Sequence, residues 1–355
     1  MKTTMGSIRE IGENIKNSPL FVGLVAFDVP LAERTTMRVG GSAALLVEPE
    51  SPQAAALAVA HAHEAEMPMY VLGGGSNLIF SDNGFHGMIL STARMNSIKL
   101  EPANCKSDQC GPKPATSQQS NEACPVLVTC GAGATIQAIT EHCIKNGITS
   151  FSHFSGLPGT AGGAAYMNAR CYETNASDII HSITYIDLDK ITKNGLNNIE
   201  NLLQVYHNKL QDWSYKHSPF MDMHTIIVQV QFSCECVQPS VLQGAPLAPE
   251  THTAIKAQYD HFVQDRVAKG HFRFPSSGSV FKNNRSFGKP SGQLIDEVGL
   301  KGIMHGGAQI APWHGNFIIN TGTASASDIK TLVEQTRLSV KAQTGFLLEC
   351  EIIFV

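Results

Sequence analysis

Gly73-Gly74-Gly75-Ser76-Asn77 lies between two short apolar runs, Met69 to Leu72 and Leu78 to Phe80. About 80 residues further on, counted from Gly73 to Gly156, Ser155-Gly156-Leu157-Pro158-Gly159-Thr160-Ala161-Gly162-Gly163 leads into Ala164-Ala165-Tyr166-Met167-Asn168-Ala169. Glycine removes the side chain that would keep a ligand off the main chain, and bare N–H groups in succession make a concave site for an anion. Two loops of unlike sequence suggest one large phosphate-bearing ligand gripped from both sides. The first loop is not a Walker loop, because Ser76-Asn77-Leu78 stands where that motif needs Gly-Lys-Ser/Thr. It also lacks the Gly-x-Gly-x-x-Gly that opens a dinucleotide-binding helix. Triphosphate hydrolysis and a conventional dinucleotide fold both lose weight, and a diphosphate held by other means stays open. Two further groups have polar chemistry to offer. Ser276, Ser277 and Ser279 surround Gly278, which by itself reads as a turn. Glu349 and Glu351, two apart on an extended C-terminal segment, share one face.

The elements that must position these residues follow from periodicity and capping. Ala43 to Glu48 reads as a strand, and Ser51-Pro52 opens a helix through His61, with serine as N-cap and proline at the first helical position. Pro68 ends that helix before the strand that delivers the Gly73 loop, a strand–helix–strand order typical of an α/β unit. Val126 to Cys130 is a strand, Thr135 to Lys145 a helix, and Asn146-Gly147 its C-cap. Ser182 to Leu188 and His224 to Phe232 read as strands, with Cys234 and Cys236 on one face if the second continues. His252 to Ala268 and Ser327 to Gln343 read as helices. Gly292 to Thr323 mixes both signals, and Phe346 to Val355 is expected to be a strand. Residues 101–125 are polar, proline-bearing and aperiodic, which predicts a surface insertion.

At 355 residues the chain exceeds one core, so two or three domains are expected. A net charge of −4 provides no positive field to recruit nucleic acid or an acidic membrane surface. No run reaches the ~18 apolar residues of a membrane span, and the N-terminus lacks a signal-peptide core. The expected location is cytoplasmic, with no membrane or nucleic-acid partner and a monomer favoured. Nine cysteines without paired Cys-x-x-Cys spacing predict free thiols and no structural metal.

Several ordered runs carry a resemblance to a known family. They are Thr36-Met37-Arg38-Val39-Gly40-Gly41, the two glycine loops, Tyr166 to Ala169, Ser276 to Asn283, Gly292 to Asp296, Leu300-Lys301-Gly302 and Asn316 to Asn320. Together they resemble the UDP-N-acetylenolpyruvoylglucosamine reductases from about residue 30 to the C-terminus, sparing 101–125 and parts of 235–270. The resemblance implies an α+β fold of the vanillyl-alcohol-oxidase type. It would comprise FAD-binding lobes at 20–95 and 96–235, a substrate domain at 240–345, and a C-terminal strand, 346–355. It implies non-covalent FAD, NADPH as hydride donor and a UDP-sugar as substrate in peptidoglycan precursor synthesis. Arg38, Gly73, Gly74, Gly75, Ser76, Asn77, Gly156, Pro158, Gly159, Thr160, Gly162, Gly163, Asn168 and Arg170 would hold the cofactor. Tyr215, Lys216 and Asn283 would meet the substrate.

The same resemblance assigns catalysis. Hydride addition to an enolpyruvyl group leaves negative charge beside its carboxylate, as an enediolate, which needs a proton donor and balancing charge. Ser279 is the implied donor, and Glu351 takes the family's acidic position. The family's arginine is replaced by Lys216, which keeps the charge and loses the bidentate fork. Arg170 stands where the family has glycine, and would either restore that fork or brace its own loop in an ion pair. Asp265 to Gly270 runs almost directly into Phe274-Pro275-Ser276, resembling the branch without an extra substrate-covering tyrosine loop. The alternatives are a flavoprotein oxidase of the same fold and a non-catalytic nucleotide-binding module.

Overall fold

The computed structural model describes residues 5–103, 123–191 and 199–355. Most of the expected polar insertion, residues 104–122, lies outside the described residues. Helix α1 (Met5–Asn17) precedes strands β1 (Gly23–Pro30) and β2 (Ser42–Pro49), the latter buried along nearly its whole length. Ser51 accepts a bond from the Ala54 N–H at 3.1 Å and starts helix α2 (Pro52–Glu64), as its serine–proline signature predicts. Strands β3 (Met69–Leu72), β4 (Leu78–Ile79), β5 (Phe85–Ser91), β6 (Ile98–Pro102) and β7 (Cys124–Gly131) follow. The Gly73 loop therefore joins two strands. Thr135 caps helix α3 (Ile136–Lys145), Thr160 caps the short helix α4 (Ala161–Tyr166), and β8 (Arg170–Cys171) and β9 (Thr174–Asn175) form a hairpin.

The remaining elements are β10 (Ile180–Asp187), β11 (Leu203–His207), β12 (Thr225–Cys236), α5 (Pro249–Ala268), β13 (Ser276–Ser279) and α6 (Ser291–Glu297). The chain closes with β14 (Met304–His305), β15 (Ala308–Ile310), β16 (Phe317–Asn320), α7 (Ala326–Thr344) and β17 (Ile353–Phe354). Its contacts divide it into two compact units. One comprises residues 1–25, 47–74 and 89–264, and the other residues 26–46, 75–88 and 265–355.

The first unit is built on an antiparallel sheet in the order β11-β10-β12-β7-β6. Strand β12 shows why it sits at the centre. From Val228 to Cys236 buried and half-buried residues alternate, placing Val230, Phe232, Cys234 and Cys236 on the core side. The strand does continue through both cysteines; Cys234 is buried in the core, and the Cys236 thiol donates to the Asn146 and Gln238 carbonyls at 3.4 Å. Against that face pack Ile136, Ile139 and Cys143 of α3, Ala161 and Ala165 of α4, and Phe151, whose ring meets Phe232 edge-on at 5.2 Å. The Tyr259 ring is buried, and its hydroxyl donates to the Ile148 carbonyl at 2.9 Å, which satisfies that polar atom within the core.

The second unit holds an antiparallel sheet in the order β13-β16-β15-β14. Ile329, Leu332, Val333 and Val340, spaced along one face of α7, share a core with Val280, Ile295, Ile310 and Ile318. Ser325 and Asp328 form a capping box at the start of α7. The Asp82 carboxylate also accepts from the Ala326 and Ser327 N–H groups at 2.8 and 3.0 Å, a favourable charge at a helix N-terminus.

The C-terminal segment departs from expectation. Phe346 to Val355 is not one strand; regular pairing is confined to Ile353–Phe354, parallel to β4. The reason is a change of partner. Around Cys350 the segment bridges Phe281, with Lys282 N–H donating to the Glu349 carbonyl and Glu351 N–H to the Val280 carbonyl. From Ile353 onward it pairs with residues 77–79 instead. A segment that switches partners within four residues cannot keep one continuous ladder.

Candidate functional site

In the first unit the two glycine loops meet. A methyl group on Gly73 would lie 2.9 Å from the Thr160 hydroxyl oxygen, and one on Gly74 would lie 2.7 Å from the Gly159 Cα. Both distances are too short for a real side chain, so this close approach is available to glycine alone. The second loop rests in turn on the Gly131–Ala134 turn. Ala161 and Gly162 N–H donate to the Ala134 and Ala132 carbonyls at 2.9 Å, and Ile136 N–H donates to the Gly159 carbonyl at 3.0 Å. A methyl on Gly162 would reach the Ala132 Cβ at 2.8 Å. Gly156 and Gly159 have φ of +71° and +125°, the left-handed region that favours glycine. The outcome is a cradle of bare backbone around Gly73, Gly74 and Gly156 to Gly163. The Gly131–Ala134 turn beneath it was legible only as a helix start, because its role is to support another loop.

The segment carrying Tyr215 and Lys216 is a tight turn. Ser214 and His217 exchange main-chain bonds at 3.2 and 3.1 Å, and Lys216 adopts φ +57° at the second central position. That geometry is characteristic of a type II turn, where a residue other than glycine is uncommon. Both ends are tied to the last residue of α4 or the chain just after it. The Asn168 amide donates to the Ser214 carbonyl at 2.8 Å, and the Ser218 hydroxyl donates to the Tyr166 carbonyl at 2.6 Å. Asn168 is buried and its Oδ1 accepts from the Ser177 N–H at 3.1 Å, so its side chain serves as a brace between loop and turn. Tyr215 is exposed. Arg170 pairs at 2.8 Å with Glu173, in the turn of the β8–β9 hairpin, the contact expected of the bracing alternative.

In the second unit, Thr36 ties three pieces together. Its N–H donates to the Gly75 carbonyl at 3.1 Å, and its hydroxyl donates to the Ser276 carbonyl at 2.7 Å. Gly75 has φ +61°, and a methyl there would lie 2.2 Å from the Arg34 carbonyl oxygen. Arg38 is exposed, with φ +59°. Ser279 pairs with Phe317 across the β13–β16 ladder, whose register shifts between Ser276 and Ser279 where Gly278 has φ +70°. The bulge re-aims Ser279 at the end of a short strand. The next residue, Val280, accepts from the Glu351 N–H at 2.8 Å, which brings the main chain at Glu351 beside the serine strand. Glu351 is half-buried, whereas Glu349 is exposed and paired with Lys282 at 2.6 Å. Asn283 caps the start of α6, its Oδ1 accepting from the Ser291 N–H at 2.9 Å.

Comparisons with known proteins give the family. Residues 43–112 match an FAD binding domain, and residues 270–355 match the C-terminal domain of UDP-N-acetylenolpyruvoylglucosamine reductase. The reductase of that name from Treponema denticola is 39% identical over 96% of this chain and 96% of its own length. That from Treponema pallidum is 36% identical over 92% of each. The crystal structure of UDP-N-acetylenolpyruvylglucosamine reductase from Thermus caldophilus superposes with a TM-score of 0.64 at 24% identity. It covers 94% of this chain and 99% of the other, a likeness of fold. An α+β fold with an FAD-binding domain and a glycine cradle defines the class as a flavoprotein oxidoreductase. The chain belongs to the UDP-N-acetylenolpyruvoylglucosamine reductase family.

Proposed function

We propose that this protein reduces UDP-N-acetylglucosamine enolpyruvate to UDP-N-acetylmuramate with NADPH and non-covalent FAD, in peptidoglycan precursor synthesis. Similarity along nearly the whole of two reductases carries the reading. The cradle fits the cofactor: glycine at 73 and 74 brings one loop against the other with no side chain between their main chains, as close approach to a diphosphate requires. Gly73 to Ser76, Gly156 to Gly163 and Arg38 would hold it. Bound FAD supplies hydride transfer from NADPH to the substrate.

The chain's own residues handle charge and protons. Ser279 gives its hydroxyl proton to the carbon beside the substrate carboxylate; a hydroxyl un-ionised at neutral pH is always loaded for that task. Lys216 offsets the negative charge that develops on the enediolate, and Glu351 hydrogen-bonds it. Tyr215 and Asn283 complete the substrate contacts. We retain 20–95 and 96–235 as the cofactor-binding portions and 240–345 as the substrate-binding portion, with residues 346–355 carrying Glu351. The substrate is a nucleotide sugar and the donor NADPH, which favours a cytoplasmic enzyme. Among the described residues no helix is long and apolar enough to cross a membrane.

The test is NADPH oxidation by purified protein with and without the enolpyruvyl sugar nucleotide, after the yellow cofactor has been released by denaturation and identified. Oxidation that needs the sugar nucleotide and yields the lactyl ether supports the proposal. NADPH oxidation dependent on oxygen alone would make the protein an oxidase. Absence of FAD from well-folded protein would remove the reading.

A further inference from the structure

We infer that Asn77 is a positioning residue for Glu351, an inference that rests on the proposed role of that carboxyl. Within the second unit both main-chain groups of Glu351 are engaged. Its N–H donates to the Val280 carbonyl at 2.8 Å, and its carbonyl accepts from the Asn77 side-chain amide at 3.0 Å. Two residues on, Ile353 N–H donates to the Asn77 main-chain carbonyl, also at 3.0 Å, and the parallel pairing of β4 with β17 begins. One asparagine therefore grips the C-terminal segment at two points on either side of Ile352, where that segment leaves one partner for the other.

The residue type suits the task. Only a donor can meet the Glu351 carbonyl, and an amide NH₂ provides one without a charge to desolvate. Aspartate would set a carboxylate against a carbonyl, and alanine would leave the bond unmade. The same loop reaches the serine strand by a second route, since Thr36 bonds both the Gly75 and the Ser276 carbonyls. Residues 75–77 thus hold the strand that carries Ser279 and the segment that carries Glu351. The Asn77 amide has a task beside the cofactor contact expected from sequence. Carboxyl placement is sensitive to such a brace, because a misplacement of about 1 Å can cost ~10²-fold in rate.

The experiment uses full-length Asn77→Ala and Asn77→Asp, each alone and with Glu351→Ala. Four quantities are measured: bound FAD by absorbance, flavin reduction by NADPH, flavin reoxidation by the enolpyruvyl sugar nucleotide, and deuterium exchange over residues 349–355 in cofactor-free protein. Among molecules that hold FAD, flavin reduction by NADPH is expected to be close to wild type. Reoxidation should slow roughly 10- to 100-fold, exchange over 349–355 should be faster, and Asn77→Ala should add little once Glu351 is alanine. Equal slowing in both backgrounds would overturn the inference, as would loss of FAD with normal reoxidation in molecules that keep it. If Glu351→Ala alone reoxidises normally, the role of Glu351 is what fails. The exchange rates then still decide whether Asn77 holds the segment, and unchanged exchange overturns it.

Discussion

Ser279 is one residue beyond a glycine at φ +70° and one before the carbonyl that binds the Glu351 N–H, so its placement is set by backbone on both sides. Serine to alanine at 279 should leave flavin reduction by NADPH intact and slow reoxidation by the sugar nucleotide ~10²–10⁴-fold, the usual contribution of a general acid. Stopped-flow absorbance at the flavin band separates the two steps, and near-normal reoxidation would reduce Ser279 to a turn residue. Lys216 and Arg170 make a contrasting pair. Arg170 is committed to an ion pair whose carboxylate is 94% exposed, so Arg170→Ala should cost under ~1 kcal/mol in stability and little in rate. Lys216→Met should slow reoxidation ~10²–10³-fold, comparable to losing one group that stabilises an oxyanion. Equal and large effects of the two substitutions on reoxidation would show that Arg170 shares the work.

At the scale of elements, the cradle depends on backbone packed against backbone. Gly74→Ala would put a methyl 2.7 Å from the Gly159 Cα, and neither atom belongs to a flexible side chain that could turn away. The loops must separate, at ~1–3 kcal/mol by the usual cost of overpacking. FAD affinity, measured by equilibrium titration of the cofactor-free protein, should fall. Unchanged affinity would mean that the interlocked loops are not the diphosphate cradle. The serine strand has its own brace. The buried Asn316 amide accepts from the Phe281 N–H at 2.9 Å and donates to the Phe281 carbonyl at 2.8 Å. Asn316→Ala would leave two buried main-chain groups without that partner, at about 1–3 kcal/mol each. Chemical denaturation should show a loss of a few kcal/mol, and a loss below ~1 kcal/mol would mean that water replaces the amide.

For the molecule as a whole, the clearest dependence on pH comes from His271 in the second unit. Its ring stacks on Phe317 at 4.9 Å, and burial, then Arg266, His314 and Lys269, push its pKa down to about 4 against the pull of Asp265. Above about pH 6.5 the imidazole is neutral whether the chain is folded or not. Between 6.5 and about 4 the unfolded chain takes up a proton that the folded one resists, so stability falls as pH falls. The full shift would correspond to about 3 kcal/mol, but the ring is only half-buried, and solvent screening leaves ~1 kcal/mol. His271→Phe, which keeps the stacked ring, should flatten the stability profile in that window by this amount. An unchanged slope would assign the acid sensitivity to other groups, such as His314 and His142, whose pKa values burial also lowers.

What the sequence alone determined is local or encoded in ordered runs. Ser51-Pro52 announced α2, Thr135 announced α3, and the alternation in β12 announced a half-buried strand, because caps and periodicity act over a few residues. The glycine loops signalled an anionic ligand through their lack of side chains, whereas Ser279 was singled out by the family resemblance alone, since the run around Gly278 by itself reads as a turn. Tertiary structure decided what needs partners distant in the chain. The Gly73 and Gly159 loops had to be folded together before their bareness became an interlock. The C-terminal segment is divided between Val280 and Asn77 because two strands compete for its main-chain groups, a contest that no local periodicity records. The sequence left Arg170 open between two tasks, and the fold adds an ion pair with Glu173 in the turn of its own hairpin. Asn77 reads from sequence as part of a ligand loop, and only the approach of residue 351, across 274 positions, turns its amide into a brace.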